Sequence, residues 1–169
     1  MKSILLPVQP KWCELIASGK KTVEIRKFRL ETPFKVYIYQ TKKTWVYDIY
    51  SKIADWQGKV IGEFICDYVL GHCEMANADI AEQQGCMHRE QLLKYSNGKE
   101  VYGLHISDLK IYDEPMKLDE FHKPCSAIKN CPNGNFRDAG RSLDKCFDCG
   151  SRITRPPQSY CYVEELTNG

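Results

Sequence analysis

The sequence predicts an α+β domain built as a compact mixed β-barrel, with short helices on its outside and a Cys-rich loop inserted before the last strand. Alternating apolar and polar residues mark many strands, whereas helical periodicity is confined to short segments. Between Lys123 and Pro157 the composition shifts to Gly, Pro, Asn, Asp, Arg and Cys, and the periodicity disappears. A chain of 169 residues is the size of one ordinary domain with a small appended module.

Each predicted element follows from a local pattern. Pro10 suits the first turn of a helix, and Gly19 ends that helix as a left-handed cap. The strongest strand is Lys59–Leu70, which is rich in Val, Ile, Phe and Tyr. The predicted strands cover residues 3–8, 20–27, 34–40, 59–70, 101–106, 109–112 and 159–166, and predicted helices start at Pro10 and cover 76–84 and 88–95, with one helical turn at 116–121.

Composition excludes several classes of protein. Apolar residues make up 43% and charged residues 27% of the chain, which is typical of a globular protein and not of a disordered or collagen-like one. Apolar runs stay far below the roughly 20 residues that a membrane-spanning helix needs. The first residues lack the apolar core of a signal peptide, so we expect a cytoplasmic location.

Positive charge is concentrated in the first third of the chain. Residues 1–46 contain ten cationic and three anionic side chains, for a net charge of +7, within a protein whose total is +2. This asymmetry predicts an anionic partner such as nucleic acid or a phosphorylated small molecule. A solvated lysine-rich face is the alternative explanation.

Four of the nine cysteines fall within 25 residues and predict a structural zinc site. Cys146 and Cys149 have the two-residue spacing that lets two thiolates reach one tetrahedral ion, and Gly150 lets the backbone turn beneath them. A loop that cannot build its own core needs such an external source of stability. Unconnected reduced thiols or a redox CxxC pair are the alternatives. The candidate ligands are Cys125, Cys131, Cys146 and Cys149, with the participation of His122 and Cys161 left open.

The segment from Lys20 to Lys27 contains the candidate catalytic residues Lys21 and Glu24. Strand alternation puts Thr22, Glu24 and Arg26 on one face. A lysine acts as a base or nucleophile when burial or a neighbouring cation lowers its pKa, and a glutamate can activate water. The alternative is an ion-pair ladder on the surface, which contributes little stability. Lys20, Thr22 and Arg26 are candidate ligand contacts in either functional interpretation.

Two further stretches are candidate ligand contacts. Tyr37 and Tyr39 share a strand face and precede Gln40 and Lys42, a combination suited to base stacking and phosphate contact. The alternative is that the rings pack inside the barrel. The candidate contacts in this first stretch are Tyr39, Gln40 and Lys42. In the second stretch, Gln158 and Ser159 follow two prolines. Their side chains can hydrogen-bond to a base edge or, alternatively, cap backbone groups.

Several of these stretches together resemble the ASCH (activating signal cointegrator homology) family of the PUA-like superfamily. The opening run QPKW, followed by SGKKTVEIRK, is similar to the start of that domain. Later stretches resemble the longer members from phages and bacterial prophages: KVIGEF, YGLHISDL and RPPQSYCYV. The resemblance covers residues 1–121 and 153–166 and leaves the Cys-rich insert outside it.

The resemblance implies a PUA-like β-barrel whose cleft beside the first helix binds RNA or nucleotides. Some small bacterial members hydrolyse N4-acetylcytidine with a Lys, a Thr and a Glu. The Lys matches Lys21, whereas the Thr position holds Glu24 in this chain. The position of the family's Glu falls on Gln84 in this chain, with Glu82 and Glu90 nearby.

We therefore expect a barrel formed by residues 1–121 and 153–169 and a zinc-bound insert at 122–152. The expected function is binding of RNA or a modified nucleoside in a basic cleft near Lys21. An amidohydrolase acting on N4-acetylcytidine-type substrates is the first alternative. A zinc-stabilised module that contacts a protein partner through the Cys-rich loop is the second.

Overall fold

A computed structural model of the chain describes residues 1–42, 56–75, 77, 79–124 and 152–166, and the structural statements below concern these residues. The strands are β1 (Lys2–Val8), β2 (Val23–Arg26), β3 (Phe34–Gln40), β4 (Lys59–Cys66), β5 (Val69–Leu70), β6 (Tyr102–His105), β7 (Ser107–Lys117) and β8 (Cys161–Val163). The helices are α1 (Pro10–Ala17), α2 (His72–Met75) and α3 (Arg89–Ser96), with a π-helical turn at Ile80–Gln84 and a 3₁₀ turn at Leu118–Glu120.

The described strands form two sheets and not the closed barrel that the sequence pattern predicts. The larger sheet has the order β7-β4-β3-β1-β8, and the smaller one has the order β2-β6-β5. β1 pairs in parallel with β3, because α1 and β2 lie between them in the chain and carry it back across the sheet. The fold is thus a mixed α+β arrangement of sheets with few, short helices.

The long strand predicted at residues 59–70 is divided between the two sheets. β4 belongs to the larger sheet and β5 to the smaller one. At the break the main-chain N–H of Tyr68 donates to the Asp67 carboxylate at 3.1 Å, and the Cys66 thiol donates to the Tyr68 carbonyl at 3.2 Å. These local bonds turn the chain where an apolar pattern alone predicts continuation.

The core has three parts, and two of them lie on opposite sides of the larger sheet. One contains Leu6 and Ile38 together with the buried face of α1, and it lies beneath the smaller sheet through Leu104. The other packs Leu5, Tyr37 and Phe121 on the opposite side of the larger sheet. Alternation along β1 sends successive side chains to the two parts, so this strand is buried on both faces.

The Cys-rich insert begins and ends at neighbouring points of the fold. His122 and Arg152 form an isolated antiparallel bridge, and the His122 carbonyl accepts a hydrogen bond from the Glu164 amide at 2.9 Å. Residues 125–151 of the insert lie outside the described residues. Within the described part of the chain, no helix is both long and apolar enough to cross a membrane.

Candidate functional site

The candidate site lies where α1 ends and β2 begins. Gly19 takes up φ +74° after α1, and the Lys21 amide then bonds back to the Leu15 carbonyl at 2.9 Å, which turns the Lys21 side chain inward. Only 2% of Lys21 is exposed. Its Nζ donates to the Gly85 carbonyl at 2.5 Å, which is contributed by the loop after the π-helical turn.

Three charged side chains meet at this point, and we call Lys21, Glu24 and Arg26 the charge cluster. Lys21 Nζ lies 3.5 Å from Glu24 Oε2, and an Arg26 guanidinium nitrogen lies 2.9 Å from Glu24 Oε1. The same Arg26 nitrogen donates to the Pro7 carbonyl at the end of β1, at 2.6 Å. The cluster therefore ties α1, β1 and β2 together through charged groups.

The position of Glu24 corrects the prediction of a polar surface face on this strand. Glu24 is 4% exposed, and Arg26 is half-buried. Glu24 pairs with Leu104 of β6, which belongs to the core beneath the sheet, so the face that carries Glu24 points inward. The cluster is a buried ion network, and the surface ion-pair ladder is excluded.

Burial changes the proton affinity of the cluster. Desolvation lowers the pKa of Lys21, while the Glu24 carboxylate acts in the opposite direction and Arg26 adds to the lowering. On the other side of Glu24, burial and the Glu24 charge raise the pKa of the Cys13 thiol well above its ordinary value. Lys21 thus loses its proton more readily than an exposed lysine, as a general base requires.

Aromatic rings and exposed cations surround the cluster. Lys21 Nζ lies 4.8 Å from the Trp12 ring centroid, and Lys11 Nζ lies 4.7 Å from the same ring. The Lys27 ammonium is 4.8 Å from the ring of Tyr95 on α3. Lys11 and Lys27 are exposed, whereas the Glu24 carboxylate is buried.

The structure separates the other predicted contacts into exposed and buried groups. Lys20 and Thr22 are exposed beside the cluster, and Lys42 is exposed at the end of β3. Gln158 and Ser159 are exposed before β8. Their roles as ligand contacts stay predictions.

Tyr39 and Gln40 require a correction, because both are buried. Tyr39 is 4% exposed and packs in the core with Tyr37, whose hydroxyl accepts the Leu166 amide at 2.9 Å. Gln40 is fully buried. The exposed stacking face predicted for this strand is therefore absent, because core residues pack against both faces of β3, around Ile38 on one side and around Tyr37 and Tyr39 on the other.

Gln84, Glu82 and Glu90, the candidates for the family's catalytic Glu, do not contact the charge cluster through their side chains. The Gln84 main-chain carbonyl accepts the Thr22 amide at 3.0 Å. Glu82 is exposed and lies 3.5 Å from His88, and Glu90 is exposed on α3. Lys21 instead contacts the Gly85 carbonyl and the Trp12 ring. The sequence patterns did not single out either residue as part of the site.

The predicted zinc ligands Cys125, Cys131, Cys146 and Cys149 lie outside the described residues. Among the residues that the structure does describe, no three His, Cys, Asp or Glu side chains form a group able to hold a metal ion. Cys161 is half-buried, and burial raises the pKa of its thiol.

Comparison with known proteins then decides the type of fold. No family model and no curated protein matches the chain. The crystal structure of ASCH from Zymomonas mobilis matches with a TM-score of 0.58 and 20% identity, over 97% of this chain and 89% of that one. The chain has the ASCH fold. A Tyr-to-Phe variant of the Zymomonas protein matches with a TM-score of 0.58 and 19% identity, over 98% of this chain and 92% of that one. A Ser-to-Ala variant matches with a TM-score of 0.59 and 18% identity, over 97% of this chain and 89% of that one.

The ASCH fold agrees with the resemblance drawn from the helix–GKKT–strand segment. In this chain the segment forms α1, the turn at Gly19 and β2, which together place the charge cluster. Sequence identities of 18–20% carry the comparison no further than the fold. The relationship to phage and prophage members stays a prediction.

Proposed function

We propose that this protein binds RNA or a modified nucleoside at the charge cluster beside Trp12. The observation that carries the proposal is a buried carboxylate oxygen: Glu24 Oε2 makes no hydrogen bond of normal geometry among the described residues, and Lys21 Nζ approaches it no closer than 3.5 Å. Burying such a network costs stability, and networks of this kind are concentrated at functional sites. A ligand that donates to this oxygen would remove part of the cost.

The residues around Glu24 suit a nucleobase. A carboxylate accepts hydrogen bonds from the amino group of cytosine, and an indole ring offers a face on which a base stacks. The exposed lysines at positions 11, 20 and 27 supply the positive charge that a phosphate backbone requires. Base recognition is thereby assigned to buried groups and phosphate contact to these exposed lysines.

The test follows Trp12 fluorescence in a protein carrying Trp45→Phe and Trp56→Phe, so that Trp12 is the sole tryptophan. We expect cytidine and an eight-nucleotide single-stranded RNA to change its emission. Glu24→Gln should weaken both about tenfold, because one good base contact is worth roughly 1–3 kcal/mol. Lys11→Ala and Lys20→Ala should weaken RNA alone and reduce the dependence of its affinity on salt.

Lys110→Ala is the matched control, because Lys110 is also an exposed lysine and lies on β7, at one edge of the larger sheet. It should leave both affinities unchanged. RNA binding that is indifferent to salt and to Lys21→Ala would contradict the proposal. It would favour instead a module that contacts a protein partner.

Hydrolysis of an N4-acylated cytidine is the second candidate, and the lowered pKa of the buried Lys21 amine favours it. In this reaction water adds to the acyl carbon, the bond from that carbon to N4 breaks, and cytidine and the carboxylic acid leave. Lys21 in its neutral form, or the Glu24 carboxylate 3.5 Å away, would take the proton from water and pass it to N4 as the bond to that nitrogen breaks.

The same preparation, incubated with N4-acetylcytidine, separates the two functions by the release of cytidine. Release by this preparation, and none by the same preparation carrying Lys21→Ala, would make the protein an amidohydrolase. Emission changes at Trp12 without release at high protein concentration would leave binding as the function.

We further propose that Cys125, Cys131, Cys146 and Cys149 hold one structural zinc ion, on the strength of their spacing alone. Protein purified without added metal should contain about one zinc per chain by elemental analysis, and Cys146→Ser together with Cys149→Ser should remove it. A folded preparation with no zinc would contradict the proposal. Cys73→Ser, at an exposed cysteine on α2, is the control that should retain the metal.

A further inference from the structure

A second polar depression lies at the start of β1, at the opposite end of that strand from the charge cluster. Its lining residues are Lys2, Arg29, Leu30, Glu31, Phe34 and Tyr162. We propose that this depression is a second nucleotide subsite, so that the ligand is a single-stranded RNA segment and not a free nucleoside. The inference rests on the proposed function and extends it.

The aromatic part of the depression is held in position by its neighbours. Tyr162 is 42% exposed, so part of its ring is open to solvent. The edge of Tyr160 meets its ring at 5.8 Å and 87°, and Tyr160 in turn packs against Phe28 at 4.3 Å. A ring fixed in this way can stack a base without much loss of side-chain entropy.

The charged part of the depression matches the remaining groups of a nucleotide. Arg29 is exposed, and within the described chain no carboxylate lies at ion-pair distance from it, so it is free to contact a phosphate. Lys2 and Glu31 form a pair at 3.4 Å, but their side chains are 63% and 91% exposed. Such a pair is weak, and Glu31 can accept from the amino group of a stacked base.

A short basic segment joins the depression to the charge cluster. Arg26 belongs to the cluster, Lys27 is exposed beside Tyr95, and Arg29 lines the depression three residues after Arg26. The two sites also mark the ends of β1, because Lys2 lines one and the Pro7 carbonyl contacts Arg26 in the other. Five residues of strand span about 17 Å, which is too far for one nucleoside to bridge.

The test compares an eight-nucleotide oligocytidylate with cytidine, using Trp12 emission for cytidine and fluorescence anisotropy of the labelled oligonucleotide. Tyr162→Ala should weaken oligonucleotide binding about tenfold, as expected for losing one stacked base. Arg29→Ala should weaken it several-fold and reduce its salt dependence. Neither variant should change the affinity for cytidine.

Tyr68→Ala is the matched control, because Tyr68 is a similarly exposed tyrosine, 44% against 42%, immediately before β5 of the other sheet. It should leave oligonucleotide binding unchanged. Circular dichroism and thermal unfolding of each variant check that the fold is retained.

Three outcomes distinguish this inference from the function on which it rests. Loss of oligonucleotide affinity in Tyr162→Ala and Arg29→Ala, with cytidine binding intact, supports both. Unchanged oligonucleotide affinity in those variants overturns the second subsite and leaves the charge cluster as the binding site. If the oligonucleotide binds through Tyr162 while cytidine never changes Trp12 emission, the depression is supported and the nucleoside site at the cluster is overturned.

Discussion

Glu24→Gln is expected to lower the free energy of unfolding by about 3 kcal/mol, at the lower end of what breaking a buried ion pair costs. The substitution keeps the shape of the side chain and removes the charge that Lys21 and Arg26 share. Lys21 is 2% exposed and has no other carboxylate within ion-pair distance in the described chain. Because its pKa is already lowered, Lys21 can release its proton and relieve part of the cost.

Urea unfolding at neutral pH measures this effect, with Glu165→Gln as the matched control. Glu165 also pairs with a lysine, Lys35, at 2.9 Å, but its side chain is 41% exposed. The control should cost less than about 1 kcal/mol. Adding Lys21→Met to Glu24→Gln should recover stability, because it removes the buried cation that the first change leaves with no carboxylate. Equal effects of the two glutamine variants would show that the cluster is solvated and not buried.

Gly62→Ala is expected to cost about 2–3 kcal/mol, as forced overpacking of a well-packed sheet does. A Cβ at Gly62 would lie 2.4 Å from the Lys110 carbonyl oxygen and 3.1 Å from the Ile111 Cα. Both are backbone atoms of β7, so relief requires the two paired strands to separate. The register between β4 and β7 already shifts on either side of Gly62, which indicates that this glycine permits the close approach.

Gly71→Ala is the control for the intrinsic effect of replacing glycine. Its Cβ would meet one atom within 4 Å, the Glu74 Oε2 at 3.5 Å, which is an ordinary contact on a movable side chain. Thermal unfolding of the two variants should therefore differ by several degrees, with Gly62→Ala the lower. Similar midpoints would mean that β7 moves aside at little cost.

Local patterns in the sequence were sufficient for most elements of the fold. The strand at residues 34–40 and the helix starting at Pro10 appear where periodicity and the proline predict them. The predicted strand at residues 59–70 failed because Asp67 and Tyr68 bond to their own neighbourhood and redirect the chain. The predicted helix at residues 76–84 is in part a π-helical turn at Ile80–Gln84, a distinction that apolar spacing does not make.

The candidate site was predictable in its residues but not in its environment. Lys21, Glu24 and Arg26 stand out in the sequence as charged residues at a helix–strand corner. Nothing in the pattern distinguishes a polar face that points to water from one that points inward. Tyr39 shows the converse. Its position next to polar and basic residues made it a candidate ligand contact, but its ring lies in the core.

By itself, the sequence determined the strand-rich α+β class, the start and end of α1, and the residues available for chemistry, because periodicity, proline and left-handed glycine act over a few residues. Only the tertiary structure decided that the strands form two sheets, that Gly85 and Trp12 surround Lys21, and that Glu24 is enclosed. These contacts join residues up to 64 positions apart in the chain. Their burial, and with it the lowered pKa of Lys21, exists only once the sheets pack over the end of α1.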